Sequence, residues 1–211
     1  MENLVSKSIT FEGLLSLLNH DEDLLFNFIM NLKNQDAKTR LCDEAREYYA
    51  EYFNIKKEDV WYGDLIGNQI PNPFPYTHMI GNLKCITDID MTKLVYLDGN
   101  LKDSFIEEYP NLETITGTGD FQPRFFRSKL KRLPKLKRVK HLFLSYTPIE
   151  DIHSLEKVDG NLGCVGTHIK YVNPNLEIMG MLQCEKSHNF EEFLDKRKKH
   201  NWWYTDNPNI L

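Results

Sequence analysis

The chain is 211 residues long, 41% of them hydrophobic, with 26 Lys and Arg against 31 Asp and Glu. That length suits one compact domain or one capped solenoid with a sizeable core. A helical membrane span is excluded, because the most apolar stretch, Leu14 to Leu32, is broken by Asn19, His20, Asp21, Glu22 and Asp23. The N-terminus lacks a basic region followed by an apolar signal core, so a cytoplasmic protein is expected.

Residues 9 to 53 read as helices. Leu24, Leu25, Phe28, Ile29 and Leu32 recur at helical spacing, as do Ala37, Leu41, Ala45, Tyr48 and Tyr52. Thr10, Asp21 and Asp36 stand where N-caps belong. Residues 1–70 are therefore expected to form an N-terminal helical cap domain. Pro71, Asn72, Pro73, Phe74 and Pro75 cannot continue a helix and are expected to mark its boundary with the repeats.

From residue 76 to 186 one phrase recurs. It opens as Leu94-x-x-Leu97, Leu112-x-x-Ile115, Leu136-x-x-Val139, Leu155-x-x-Val158 and Leu176-x-x-Met179. Several copies continue through Gly-Asn-Leu, as at Gly99, Asn100, Leu101 and Gly160, Asn161, Leu162, and an earlier partial copy ends in Gly81, Asn82, Leu83. Steps of 18, 24, 19 and 21 between the starting residues indicate one short strand and a return segment per coil. Alternation in Leu142, Leu144 and Leu162, Cys164 predicts strands with one buried face. His141, Phe143, Ser145, Gly163, Val165, Gln183 and Glu185 should then face outward. Thr147-Pro148-Ile149 and Thr167-His168-Ile169 look like turns off the sheet that return an Ile to the core.

The triplet Leu-x-Cys ends three copies, at Cys85, Cys164 and Cys184. All three are expected to be core-facing free thiols, since no Cys-x-x-Cys or histidine pair at ligand spacing accompanies them. Cys42 falls on a helix. No metal or cofactor is expected.

The phrases LEKVDGNLGCVGTHI and LKRVKHLFLSYTPI resemble the short, irregular leucine-rich-like repeats of bacterial and bacteriophage proteins. The resemblance covers about half of the chain. It implies an α+β repeat fold, a leucine-rich-repeat-like β-solenoid with an N-terminal helical cap and a C-terminal helix, acting by recognition without catalysis. Against that pattern, Cys stands in for the usual ladder Asn, and the copy at Leu112 lacks a clean strand phrase. Small repeat proteins of this kind also resemble phage accessory proteins. That resemblance implies a protein or ribonucleoprotein partner and an inhibitor of a bacterial defence system, in its sharpest form an anti-CRISPR-type inhibitor engaging a guide-RNA complex.

Arg124, Arg127, Lys129, Lys131, Arg132, Lys135, Lys137, Arg138 and Lys140 place nine cations in seventeen residues, with no acid between Asp120 and Glu150. The run coincides with the longest repeat step, so it should be an enlarged return segment, a helical turn burying Phe126, Leu130 and Leu133. Two readings compete: a polyanion contact, with RNA as the alternative partner, and a solvated or internally paired face. Phe121, Phe125 and Phe126 interleave with the cations, either as base-stacking groups or as core. Residues 187–211 are expected to supply a C-terminal capping helix from about His188 to His200, packed through Phe190, Phe193 and Leu194, and an aromatic tail, Trp202, Trp203 and Tyr204.

Signals for catalysis are weak. The chain has no phosphate-binding glycine loop, no His-Glu-x-x-His and no Gly-x-Ser-x-Gly. Thr116-Gly117-Thr118-Gly119-Asp120 reads as a glycine-rich turn of the repeat, and the Asp88 and Asp90 carboxylates should both point to water. An enzyme with a site between cap and repeats is the third reading.

Overall fold

A computed structural model describes residues 9–121 and 128–184. Arg124, Phe125, Phe126, Arg127, Glu185 and the expected C-terminal helix and aromatic tail lie outside the described residues.

Three helices open the fold, α1 (Phe11–Leu17), α2 (Glu22–Met30) and α3 (Gln35–Phe53). The Thr10 and Asp21 side chains cap the first two, accepting from the Gly13 and Leu24 amides. The third is capped by Asn34, whose side chain accepts from the Ala37 amide, and not by Asp36, which lies in the first turn. Two residues grouped by helical spacing with the core are exposed: Leu24 at 51%, since α2 turns Leu25 and Ile29 inward, and Tyr52 at 73%, since the inward face of α3 runs through Leu41, Ala45 and Tyr49.

The remaining described residues wind into a parallel β-solenoid of about six turns. One ladder joins β1 (Val60–Tyr62), β3 (His78–Ile80), β5 (Tyr96–Asp98), β7 (Thr114–Asp120), β8 (Arg138–Phe143), β10 (Lys157–Val158) and β13 (Glu177–Ile178). A second joins β2 (Leu65–Ile66), β4 (Leu83–Ile86) and β6 (Leu101–Ser104) through β7 and β8 to β11 (Leu162–Gly163) and β14 (Leu182–Gln183). Because β7 and β8 span both ladders, the two make one sheet. On the return side, β9 (Asp151–Ile152) pairs β12 (Tyr171–Val172), and Arg132 bridges Glu108 and Asp151.

Winding thus begins at Val60, inside the segment assigned by sequence to the helical unit. The proline run is the return segment of the first coil, with Phe74 fully buried in the solenoid core and its amide donating to Asp90 O. Thr116–Asp120, expected as a turn, lies in the longest described strand, with a register shift between Ile115 and Thr118. The coil step explains it. Val60, His78, Tyr96 and Thr114 are partners at steps of 18, so Gly117 falls beside Gly99, and Gly81 beside Gly63. A Cβ on Gly81 or Gly99 would land on the carbonyl one coil earlier, and φ is +133° and +144° there, so only glycine lets the backbones approach.

The inward rows bury Leu83, Leu101, Leu142, Leu162 and Leu182 beside Met79, Leu97, Ile115, Val139, Val158 and Ile178. Ile149 and Ile169 return to this core after their turns. Leu130 and Leu133 are buried as expected, but the described part of their segment is extended, because Arg132 pairs with neighbouring coils.

Two expectations fail at the corner after the second ladder. Cys85 is exposed, whereas Cys164 and Cys184 are buried. In the early coils the residue two after the ladder Leu adopts φ > 0 (Cys85 at +55°, Asp103 at +53°), and the chain turns there, sending Ile86 and Ser104 inward. In later coils the strand runs on and the turn falls four residues after the Leu, at Tyr146 (+61°) and Gly166 (+68°), so Leu144 and Cys164 point inward. Ser145, expected outside, is drawn into that corner and is 1% exposed.

A second core holds the helices. Phe11, Leu25, Ile29, Leu41, Ala45 and Tyr49 pack with Val60, Tyr62 and Ile80 of the first coils. The Tyr62 ring lies 5.9 Å from Phe11, 5.2 Å from Phe26 and 6.0 Å from Tyr49. Arg46 of α3 donates Nε to Val60 O at 2.8 Å and Nη2 to Lys57 O at 3.1 Å, satisfying carbonyls beside the first strand.

Candidate recognition surface

A polar ladder runs along the outer side of the sheet. Asp64 Oδ1 accepts from the Asn82 amide and Nδ2, Asn82 Oδ1 accepts from the Asn100 amide and Nδ2, and Asn100 Oδ1 accepts from the Thr118 amide. After the long coil it resumes: His141 Nδ1 accepts from the Asn161 amide at 3.1 Å and Asn161 Oδ1 from the Met181 amide at 2.9 Å. The ladder Asn therefore stands just before Leu83, Leu101 and Leu162, with Asp64 before Leu65 and His141 before Leu142, and it is not the position that Cys occupies. With Nδ1 accepting, the His141 ring carries its donor at Nε2.

Beside this ladder, Phe143 is partnered by Asp120 on one side and Gly163 on the other. A Cβ on Gly163 would meet Phe143 Cδ1 at 3.1 Å, and one on Gly166 would meet Tyr146 Cε1 at 2.9 Å. His141 likewise lies against Gly160. Three rings of one coil thus rest on three glycines of the next. The His141 and Phe143 planes are parallel within 2°, with centroids 6.4 Å apart, and Tyr146 is 51% exposed. This aromatic shelf includes two residues expected from sequence, His141 and Phe143. Val165 lies beyond it at half-burial, its carbonyl accepting from the Tyr146 amide, and half-buried Gln183 follows Gly163 on the sheet. Gly163 was also expected on this face, whereas Tyr146, Gly160 and Gly166 were missed. Their signal is the step of 20 between Leu142 and Leu162, which places Phe143 on Gly163 and Tyr146 on Gly166.

The basic run behaves differently. Lys131 pairs with Glu107, Arg132 with Glu108 and Lys137 with Glu113, each at 3.0 Å, all to the preceding coil. Arg138 pairs with Asp159 of the following coil at 2.8 Å, and this hydrogen bond, with Lys157, holds the Asp159 carboxyl below the usual carboxylate range. Lys129 lies 3.9 Å from Asp88, and Lys135 donates to Asn111 Oδ1. Lys140 alone among the run's described cations makes no ion pair or side-chain hydrogen bond among the described residues. Among the described residues the pairing is with neighbouring coils and not with the helical unit.

Two lysines outside the run share the shelf's side of the sheet. Lys84 and Lys102 occupy the outward row of the second ladder, adjacent in register, with no ion pair among the described residues. Asp120 stands next in that row, buried and already engaged.

Where α2 meets the sheet, Glu22, Asp23 and Asn27 face Asn82, Asp98 and Asn100 across a groove of about 210 Å³. Two of its acids are engaged: Tyr49 Oη donates to Glu22 at 3.0 Å, and Thr116 Oγ1 donates to Asp98. Burial, then Glu22, pushes the Tyr49 phenol far above its ordinary range. Among the described residues no group of three or more His, Cys, Asp or Glu is placed to hold a metal ion. No helix among them is long and apolar enough to cross a membrane.

No protein-family model, curated protein or solved structure matches this chain.

Proposed function

We propose that the protein is a non-catalytic recognition scaffold that engages a protein or ribonucleoprotein partner through the outer face of its sheet. The observation that carries this reading is the shelf of His141, Phe143 and Tyr146 laid on Gly160, Gly163 and Gly166. Removing side chains from one coil to bare the rings of the previous one leaves aromatic surface flat to solvent, where it contributes little to the core and much to an interface. The leucine-rich-repeat-like subtype is supported by the Asn82, Asn100 and Asn161 ladder, and the cap role of the helices by Arg46 on the Val60 carbonyl.

The test is a nuclease-treated affinity capture comparing the wild-type chain with Phe143→Ser/Tyr146→Ser and with Lys131→Ala. The shelf variant should unfold at the wild-type temperature and lose the captured partner, while Lys131→Ala keeps it. Retention of the partner by a folded shelf variant, or its loss with Lys131→Ala, rejects the shelf as the binding face.

A further inference from the structure

The polyanion contact expected of residues 124–140 meets a difficulty in its described part, where most cations already face a carboxylate. Binding a phosphate there would mean releasing an existing pair. Cations with no such partner stand on the sheet: Lys84 and Lys102 in one outward row, and Lys140 beside His141 at the shelf. At about 4.8 Å per coil, Lys102 lies two coils, on the order of 10 Å, from Phe143. That separation is about three steps of a helical strand carrying one charge per ~3.4 Å. The acid between them, Asp120, is buried and already takes part in another interaction.

We infer that this face binds a single-stranded nucleic acid, with Phe143 and His141 stacking bases while Lys84, Lys102 and Lys140 meet phosphates. The inference rests on the recognition reading and names what the shelf touches. A single strand fits where a duplex does not, because flat rings flush with a sheet need bases whose faces are free. The Nε2 proton of His141 adds a donor for a base edge or a phosphate.

The experiment is fluorescence anisotropy with a labelled mixed-sequence RNA of about 12 nucleotides, inside the ~4–16-nucleotide range of single-strand surfaces. The same sequence as DNA and as duplex serves for comparison. Phe143→Ala should weaken single-strand binding about ten- to a hundredfold with an unchanged salt slope, and Phe143→Tyr should restore it. Lys84→Ala/Lys102→Ala should flatten the slope of log K against log salt by about 1.4. Lys131→Ala and Lys137→Ala should leave both unchanged. No single-strand binding by the wild type, equal binding of duplex, or a slope that responds to Lys131 as to Lys102 overturns the inference. If the nuclease-resistant partner is still lost with the shelf variant in that event, the face is a protein-binding one and the recognition reading survives.

Discussion

Replacing Asn100 with Ala isolates the contribution of the polar ladder. Asn100 is half-buried, its Nδ2 donates to Asn82 Oδ1 at 2.9 Å, and its Oδ1 accepts from the Thr118 amide at 2.8 Å. Alanine deletes both side-chain bonds, at ~1 kcal/mol net each, and leaves the Thr118 amide without its partner, a further penalty at the low end of ~1–3 kcal/mol because water reaches it in part. The sum is about 3 kcal/mol. In a chain of this size, at about 2–4 °C per kcal/mol, that corresponds to a fall of roughly 6–12 °C in Tm. Thermal and urea unfolding followed by circular dichroism would measure it, with Asn68→Ala, at an exposed position with no side-chain hydrogen bond among the described residues, as reference. Asn100→Asp sharpens the test. It keeps an acceptor for Thr118 but sets a carboxylate against Asn82 Oδ1, so its folded-state pKa should be raised. Its stability should therefore be highest at low pH and fall as pH rises through about 4 and beyond. A loss below about 0.5 kcal/mol for Asn100→Ala, or an Asn100→Asp variant indifferent to pH, would show that the ladder is ornamental.

Gly99→Ala should destabilise more than Asn100→Ala, since its Cβ meets the Gly81 backbone carbonyl at a φ of +144°, and soluble yield with unfolding midpoint would show it. His78 sits between Phe53 (4.6 Å) and Tyr96 (5.5 Å), where burial lowers its pKa against the opposing pull of Asp59. A depressed imidazole pKa means that the unfolded chain binds the proton first, so stability should drop as pH falls below about 6.5. The Tm difference between neutral and mildly acidic buffer should accordingly shrink in His78→Gln. Cys85 should react with a water-soluble disulfide reagent in the native state, while Cys164 and Cys184 wait for unfolding; equal rates for all three would contradict the two-corner geometry.

The parts of this fold that sequence reveals are those whose signal repeats within a few residues. Helix caps at Thr10 and Asp21 and the Leu phrase from Leu94 to Val158 are local patterns, and the structure reproduces them; in the last copy, expected as Leu176-x-x-Met179, the inward residue is instead Ile178, which partners Val158, while Met179 is 68% exposed. The first coil was hidden because Val60-Trp61-Tyr62-Gly63-Asp64-Leu65 carries Asp where later coils carry Asn, and because a proline run looks like a linker when the strands around it are unseen. Cys85 was misplaced since Leu-x-Cys does not say whether the corner comes two residues after the Leu or four. The charge run looked one-sided only along the chain. Counting 24 residues back from Lys131 and Lys137 reaches Glu107 and Glu113, so the partners lay one coil away in a step already countable in the sequence.

That pairing bears on how the coils choose their register. Glu107 and Glu108 meet Lys131 and Arg132, and Glu150 meets Lys170 at 2.8 Å, so charge alternates in sign from coil to coil along the return side. Such exposed, solvent-screened pairs contribute too little to hold the solenoid together beside rows of buried Leu and Ile. Their larger effect is on alternatives. A skipped coil would set acids on acids, since Glu107 and Glu108 would then face Glu150 and Asp151, and like charges directly opposite are unfavourable. Pairing across the return side also neutralises most of the described basic run where it lies. The lysines of the sheet with no ion pair among the described residues, Lys84, Lys102 and Lys140, thus lie apart from the return side on which charge orders the coils.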